Sequence, residues 1–298
     1  MLQIQSGTLS RGLTDGAHCF LCGGRSGTVL FEELGYGARQ CDCGILYTSP
    51  FPPAGVVDPV HDLHQDSYYE LAAPIRVDFL QRYRPTGRLL EVGCGNGHFL
   101  REAMARGYAV TGMEPNQRRA AHVREDLGVS VEMALIEDTR LPPQSFDIVY
   151  HCDLLSHFPD PILALERMTS LVAPDGILYF EVGLVADLAP FWYRAMGTLR
   201  MPHHRWFFTE AALEGLLARC GLRIVKMKRY GLAPGVLISQ FGKLTRTGGG
   251  ATRRITDRTK RQESASRRRL RTALRYHVGA LVWGVGPETA LVIARRTG

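Results

Sequence analysis

The run Glu91-Val92-Gly93-Cys94-Gly95-Asn96-Gly97 stands between an apolar stretch, Leu89-Leu90, and a helix-patterned one that starts at His98. Glycines at a strand-to-helix turn let backbone approach a ligand closely, and the N–H groups of the helix start make that spot electropositive. The chemistry is that of holding a charged or polar cofactor. Glu114 lies 23 residues after Glu91, at the end of a second apolar stretch, where an acid can accept both ribose hydroxyls of a nucleoside. The third glycine falls one residue early for the dinucleotide fingerprint G-x-G-x-x-G, and His98 takes that position. A second constellation precedes it. Cys19-x-x-Cys22 and Cys41-x-Cys43 are separated by 18 residues, and thiolates paired on two tight turns are a way of holding tetrahedral zinc.

These residues need a frame that brings strand ends to one edge. Beyond residue 86, strand-like and helix-like runs alternate, which is the pattern of a parallel sheet covered on both faces. Strands are expected at 89–92, 109–113, 129–133, 146–150, 177–182, 222–227 and 289–295, and helices at 68–83, 98–106, 117–127, 162–171, 210–220 and 270–282. The chain divides into a tail (1–17), a zinc-binding knuckle (18–50) and a connector with a helix (51–85). A cofactor-binding core (86–232), a basic insertion ending in a helix (233–286) and a final strand (287–298) follow. Within the knuckle, 29–31 and 45–47 read as the strands of a hairpin.

An acid ahead of G-x-G-x-G resembles the first motif of class I S-adenosylmethionine (SAM)-dependent methyltransferases, and the likeness extends over about residues 90–230. Leu141-Pro142-Pro143-Gln144-Ser145-Phe146-Asp147-Ile148-Val149 is similar to that family's entry to strand four. The segment from His151 to Pro161 is similar to the one bordering the methyl donor and the acceptor, and Pro202 to Glu210 to the entry of the helix before strand six, with Thr209 as N-cap. The resemblance implies a Rossmann-like α/β fold with a seven-stranded, mainly parallel sheet whose last strand is antiparallel. It implies a SAM site at the strands' carboxyl ends, made by Glu91, Gly93, Cys94, Gly95, Asn96, Gly97, Glu114, Pro115, Ile136, Glu137 and Cys152, with Ile136 and Glu137 beside the adenine. The acceptor pocket would be walled by 151–160, 184–206 and 61–70. His157 is the candidate base, a neutral imidazole able to take a proton from an acceptor hydroxyl, and His204 is a second candidate facing the pocket. Both have an alternative as loop histidines that only hydrogen-bond or pack, as do His61 and His64 as surface residues and Phe191, Trp192 and Tyr193 as plain packing. The knuckle, with Gly44-Ile45-Leu46-Tyr47 and Pro50-Phe51-Pro52 after its second pair, resembles an N-terminal zinc-binding module of bacterial methyltransferases, many of which act on sugars or secondary metabolites. That module usually has a second C-x-x-C; the C-x-C here leaves open His18 or a water in place of one thiolate, or four free cysteines. Any Zn2+ held there is expected to be structural.

The bulk numbers set bounds. At 298 residues with 45% apolar and 22% charged, the chain has the composition of one globular domain with additions. Its net charge of +7 is local: residues 243–276 hold twelve Lys/Arg against Asp257 and Glu263, so the remainder is slightly acidic. No signal-peptide pattern and no apolar run of membrane-span length is visible, and the expected location is the cytoplasm. The expected function is methyl transfer from SAM to a small-molecule or glycan acceptor, at oxygen first, nitrogen second and carbon third. Three alternatives stay open: a nucleic-acid (RNA) methyltransferase using the basic tract, peripheral membrane contact through that tract and Leu281-Val282-Trp283, and a non-catalytic SAM-binding protein.

Overall fold

The computed structural model describes residues 18–25, 27–51, 67–196, 199–231, 265–277 and 289–297. The expected tail, His61 and His64, residues 243–264 of the basic tract and Leu281-Val282-Trp283 lie outside the described residues. Among the described residues, no helix is long and apolar enough to cross a membrane.

The N-terminal part is an antiparallel meander of β1 (Thr28–Glu33), β2 (Tyr36–Gln40) and β3 (Leu46–Ser49). Strands β1 and β3, expected to form a hairpin, do not pair with each other; β2 lies between them. The run Tyr-Gly-Ala-Arg-Gln has no β-branched residue, and pairing on both sides overrides its weak strand propensity. A fourth strand, β9 (Trp206–Phe207), comes from far along the chain to pair with β3.

The main sheet has seven strands. They are β4 (Arg88–Val92), β5 (Ala109–Met113), β6 (Val131–Glu132), β7 (Phe146–Cys152), β8 (Val172–Gly183), β10 (Leu222–Tyr230) and β11 (Thr289–Arg296), in the spatial order β10-β11-β8-β7-β4-β5-β6. Only β11 runs against its neighbours. Successive side chains point to opposite faces of a strand. Leu89, Ile148, Ile177 and Leu291 therefore pack with α1 (Ser67–Gln81), α2 (His98–Ala105) and α3 (Gln117–Leu127), while Leu90, Val149, Leu178 and Val292 pack with α4 (Pro161–Leu171) and α6 (Glu210–Arg219). A short α5 (Phe191–Met196) precedes β9, and α7 (Ala265–His277) lies against α1 and β10.

Helix starts follow local chemistry. Asn116, Asp160 and Thr209 each accept backbone N–H bonds from the first turn of α3, α4 and α6, so Thr209 is the N-cap expected from sequence. Strand β8 begins five residues before its expected start, because Pro174 and Gly176 disguise an irregular first stretch opposite Asp147. Helix α7 begins at Ala265, five residues before its expected start.

Candidate active site

The backbone N–H groups of Gly93 and Cys94 both donate to the carbonyl of Met113 (2.8 and 3.0 Å), clasping the turn after β4 to the end of β5. Gly95 N donates to Glu114 Oε2 (2.9 Å) and Asn116 N to Glu114 Oε1 (3.0 Å). Each carboxylate oxygen keeps a further lone pair for a ligand hydroxyl. Gly95 has φ of +55°, and a Cβ built on it meets no atom of the described residues within 4 Å beyond its chain neighbours, so this backbone borders open space. At Gly93 the opposite holds: a Cβ would sit 2.8 Å from Leu154, so the turn is pressed against the loop after β7.

The other expected cofactor residues reach the same sheet edge. Glu91 and Asn96 are buried, and among the described residues Glu91 Oε2 has no hydrogen-bond partner. Burial raises the Glu91 carboxyl well above its ordinary range; Arg76 opposes this and Glu114 adds to it. Cys94 is buried with its Sγ packed toward Gly112, so its side chain is part of the floor. Pro115 directly follows Glu114, Ile136 is buried and Glu137 half-buried in a 3-10 turn after β6, and Cys152 ends β7. Cys152 Sγ lies 3.7 Å from Glu181 Oε1.

The loop after β7 meets the segment before β9. His157 Nδ1 is 2.9 Å from the carbonyl of His203; a carbonyl only accepts, so Nδ1 carries a hydrogen and donates it. The His157 and His204 rings stand edge to face at 4.7 Å, and ligating atoms of both lie within 4.8 Å of an Asp153 oxygen and of each other. The two histidines, separate in sequence, are thus neighbours. Burial, then His157, Arg200 and His203, push His204 down to about 3, so it is neutral across the working range. Burial, then Glu181, push Asp153 up from 3.8 to about 7.

A carboxyl with a raised folded pKa holds more protons in the folded than in the unfolded chain between the two values, so stability falls as pH rises through that window. The ligand-free protein is expected to lose stability between about pH 4 and pH 7, where Asp153 titrates, and Asp153→Asn to flatten the fall. Scanning calorimetry across that range checks this; identical slopes in the two proteins would remove Asp153 as the cause.

Residues 63–227 match a family described as a methyltransferase domain, which is more than half of the chain. The chain belongs to this family. A ubiquinone biosynthesis O-methyltransferase of Actinobacillus pleuropneumoniae is 34% identical over 43% of this chain and 57% of its own, so the chain spans about half the length of the curated relatives it matches. A putative methyltransferase of Bacillus halodurans has a TM-score of 0.51 at 12% identity, covering 76% of this chain and 99% of the other. An S-adenosylmethionine dependent methyltransferase of Mesorhizobium loti has 0.50 at 18% identity, covering 76% and 98%. These likenesses show the fold: the protein has the Rossmann-like sheet of class I methyltransferases.

Beside the methyltransferase turn lies a buried network that sequence reasoning missed. Arg76 of α1 binds both oxygens of Glu181 at the end of β8 (2.8 and 2.9 Å). Burial alone would raise the Glu181 carboxyl, but Arg76 outweighs it and holds it below its usual range. Tyr276 of α7 donates to Glu181 Oε2 (3.0 Å), so the end of the basic tract is built into the core. A signal was present: Arg76 falls on the apolar face of α1 with Ala72, Ala73, Val77 and Leu80, and Glu181 interrupts an apolar strand. A charge in the middle of an apolar pattern demands a buried partner.

The cysteine-bearing N-terminal part is joined to the segment before β9. Thr48 N donates to Arg205 O (2.9 Å) and Thr48 Oγ1 to His204 O (2.6 Å). Phe20 and Phe51 pack edge-on to Trp206 (4.7 and 5.1 Å), whose Nε1 donates to Phe158 O (2.8 Å). Of the three aromatics of α5, Tyr193 is buried and donates to Leu188 O, while Phe191 is exposed.

Proposed function

We propose that the protein transfers a methyl group from SAM to an oxygen of a small molecule or glycan. The Gly95–Glu114 hydrogen bond carries most weight: a glycine backbone facing open space is tied to a buried acid with spare lone pairs, the arrangement a polar nucleoside needs. Glu91, the 93–97 turn, Glu114 and Pro115 would hold SAM, with Ile136, Glu137 and Cys152 at the rim. When bound, SAM supplies an activated methyl group. The relatives named as O-methyltransferases support oxygen and a small acceptor.

In this scheme His157 takes the acceptor hydroxyl proton at Nε2, while the His203 carbonyl keeps its tautomer. His204 is too weak a base at neutral pH and serves as a neutral wall beside it. His157→Ala is expected to lower kcat by about 10²–10⁴-fold with SAM affinity nearly unchanged. Transfer of label from methyl-radiolabelled SAM into fractionated cell extract tests both levels. Label in a small-molecule or glycan fraction with wild type and not with Gly95→Asp supports the function, and undiminished transfer by His157→Ala removes the base. SAM binding without transfer into any fraction points to a non-catalytic SAM-binding protein.

We further infer that Cys19, Cys22, Cys41 and Cys43 hold a structural zinc. All four sulfurs lie within 4.8 Å of one another, with no need of His18. The pairs Cys19–Cys43 and Cys22–Cys41 are 3.5 and 3.3 Å apart, close to the roughly 3.8 Å between thiolates on a tetrahedral zinc. Protein purified without a His-tag is expected to contain about one zinc per chain, lost in Cys22→Ser, and to melt lower after chelation. Elemental analysis giving well under one zinc would exclude it.

A further inference from the structure

A second concentration of polar groups lies where α1, α7 and the end of β10 meet. Tyr276 Oη contacts the hydroxyls of Tyr68 (3.3 Å) and Tyr230 (3.4 Å) in addition to Glu181. The Arg275 guanidinium stands over the rings of Tyr68 (4.9 Å) and Tyr230 (5.5 Å). Among the described residues its Nη2 reaches only Thr289 Oγ1, at 3.5 Å, and its buried Nε has no hydrogen-bond partner. Among the described residues no carboxylate forms an ion pair with it, and Glu181 is taken on both oxygens by Arg76. Arg76, which is buried, thus already takes the carboxylate nearest to Arg275, which is partly exposed but has its Nε buried.

Shielding a charge from water without a counter-ion is costly, and aromatic faces return only part of that cost. A ligand anion would make up the difference. The place is suited to one. β10 runs parallel to β8, its last residue Tyr230 is opposite Thr289, and Thr289 is opposite Gly183, so Arg275 stands at the sheet edge from which His157 springs.

We propose that Arg275, flanked by Tyr68 and Tyr230, binds an anionic oxygen group, a carboxylate or a phosphate, carried by the methyl acceptor. This rests on the methyltransferase function proposed above and narrows its acceptor to anionic compounds. Arg275 binds and orients; it takes no part in the proton transfer.

The full chain loaded with S-adenosylhomocysteine is titrated with benzoate, phenyl phosphate and neutral benzamide and followed by calorimetry. At least one anion is expected to bind about tenfold more tightly than benzamide, a difference of about 1.4 kcal/mol. Arg275→Leu loses that preference and still binds S-adenosylhomocysteine, and Arg275→Lys keeps part of it. The stronger of the two anions separates carboxylate from phosphate. Equal affinity for charged and neutral probes, no binding of any probe, or an unchanged preference in Arg275→Leu overturns the proposal. Should Arg275→Leu fail to fold, full retention of the preference by Arg275→Gln would do the same. Failure of wild type to bind S-adenosylhomocysteine would instead remove the function on which the proposal rests.

Discussion

Gly95→Asp is expected to weaken binding of SAM by at least about 100-fold, equivalent to about 2.7 kcal/mol, while leaving the fold standing. The residue has φ of +55°, a region that aspartate tolerates better than most residues at about 1–2 kcal/mol. Beyond its two chain neighbours, no atom of the described residues lies within 4 Å of the new Cβ, so the substitution does not strike the surrounding protein. The added carboxylate projects into the space beside the backbone N–H that Glu114 accepts, where it meets whatever occupies that space and repels the Glu114 carboxylate. Isothermal titration with S-adenosylhomocysteine, paired with a melting curve, separates the two effects. Affinity within a few-fold of wild type would place the cofactor elsewhere.

Arg76→Met should be the most damaging change to stability at a site of similar volume. It leaves Glu181 buried with the Tyr276 hydroxyl and the weakly donating Cys152 thiol as its remaining donors among the described residues, and removing one partner of a buried ion pair costs about 3–5 kcal/mol. For a chain of this size that corresponds to a fall in Tm of roughly 10 °C. Adding Glu181→Gln should recover part of the loss, because the orphaned charge is then gone. Denaturant unfolding of the two single variants and the double variant measures the coupling. Strict additivity would show that the pair stabilises nothing beyond its separate contacts.

Much of this was visible in the chain itself, for reasons that differ by element. The glycine turn and Glu114 are legible because their spacing along the chain is set by one strand-turn-helix unit and the strand beside it. The four cysteines are legible because each pair sits on a single turn. The Arg76–Glu181 pair is not, since it spans 105 residues and depends on which helix lies over which strand end. The same holds for Asp153, whose backbone gives no hint that His204 from a distant loop will stand beside it. Strand β2 was missed because its residues have little propensity of their own and take their shape from two neighbours.

The β3–β9 pairing has a consequence for inheritance and engineering. A knuckle that supplies three strands of a four-stranded sheet and borrows the fourth from residues 206–207 is not a detachable cassette. A crossover or graft cut near residue 51 would divide that sheet between two parents, leaving Thr48 facing a foreign His204–Arg205 backbone and Phe20 a foreign Trp206. Chimaeras should work when the 199–209 segment travels with the cysteines, and substitutions in either piece should be tolerated best when drawn from the same parent.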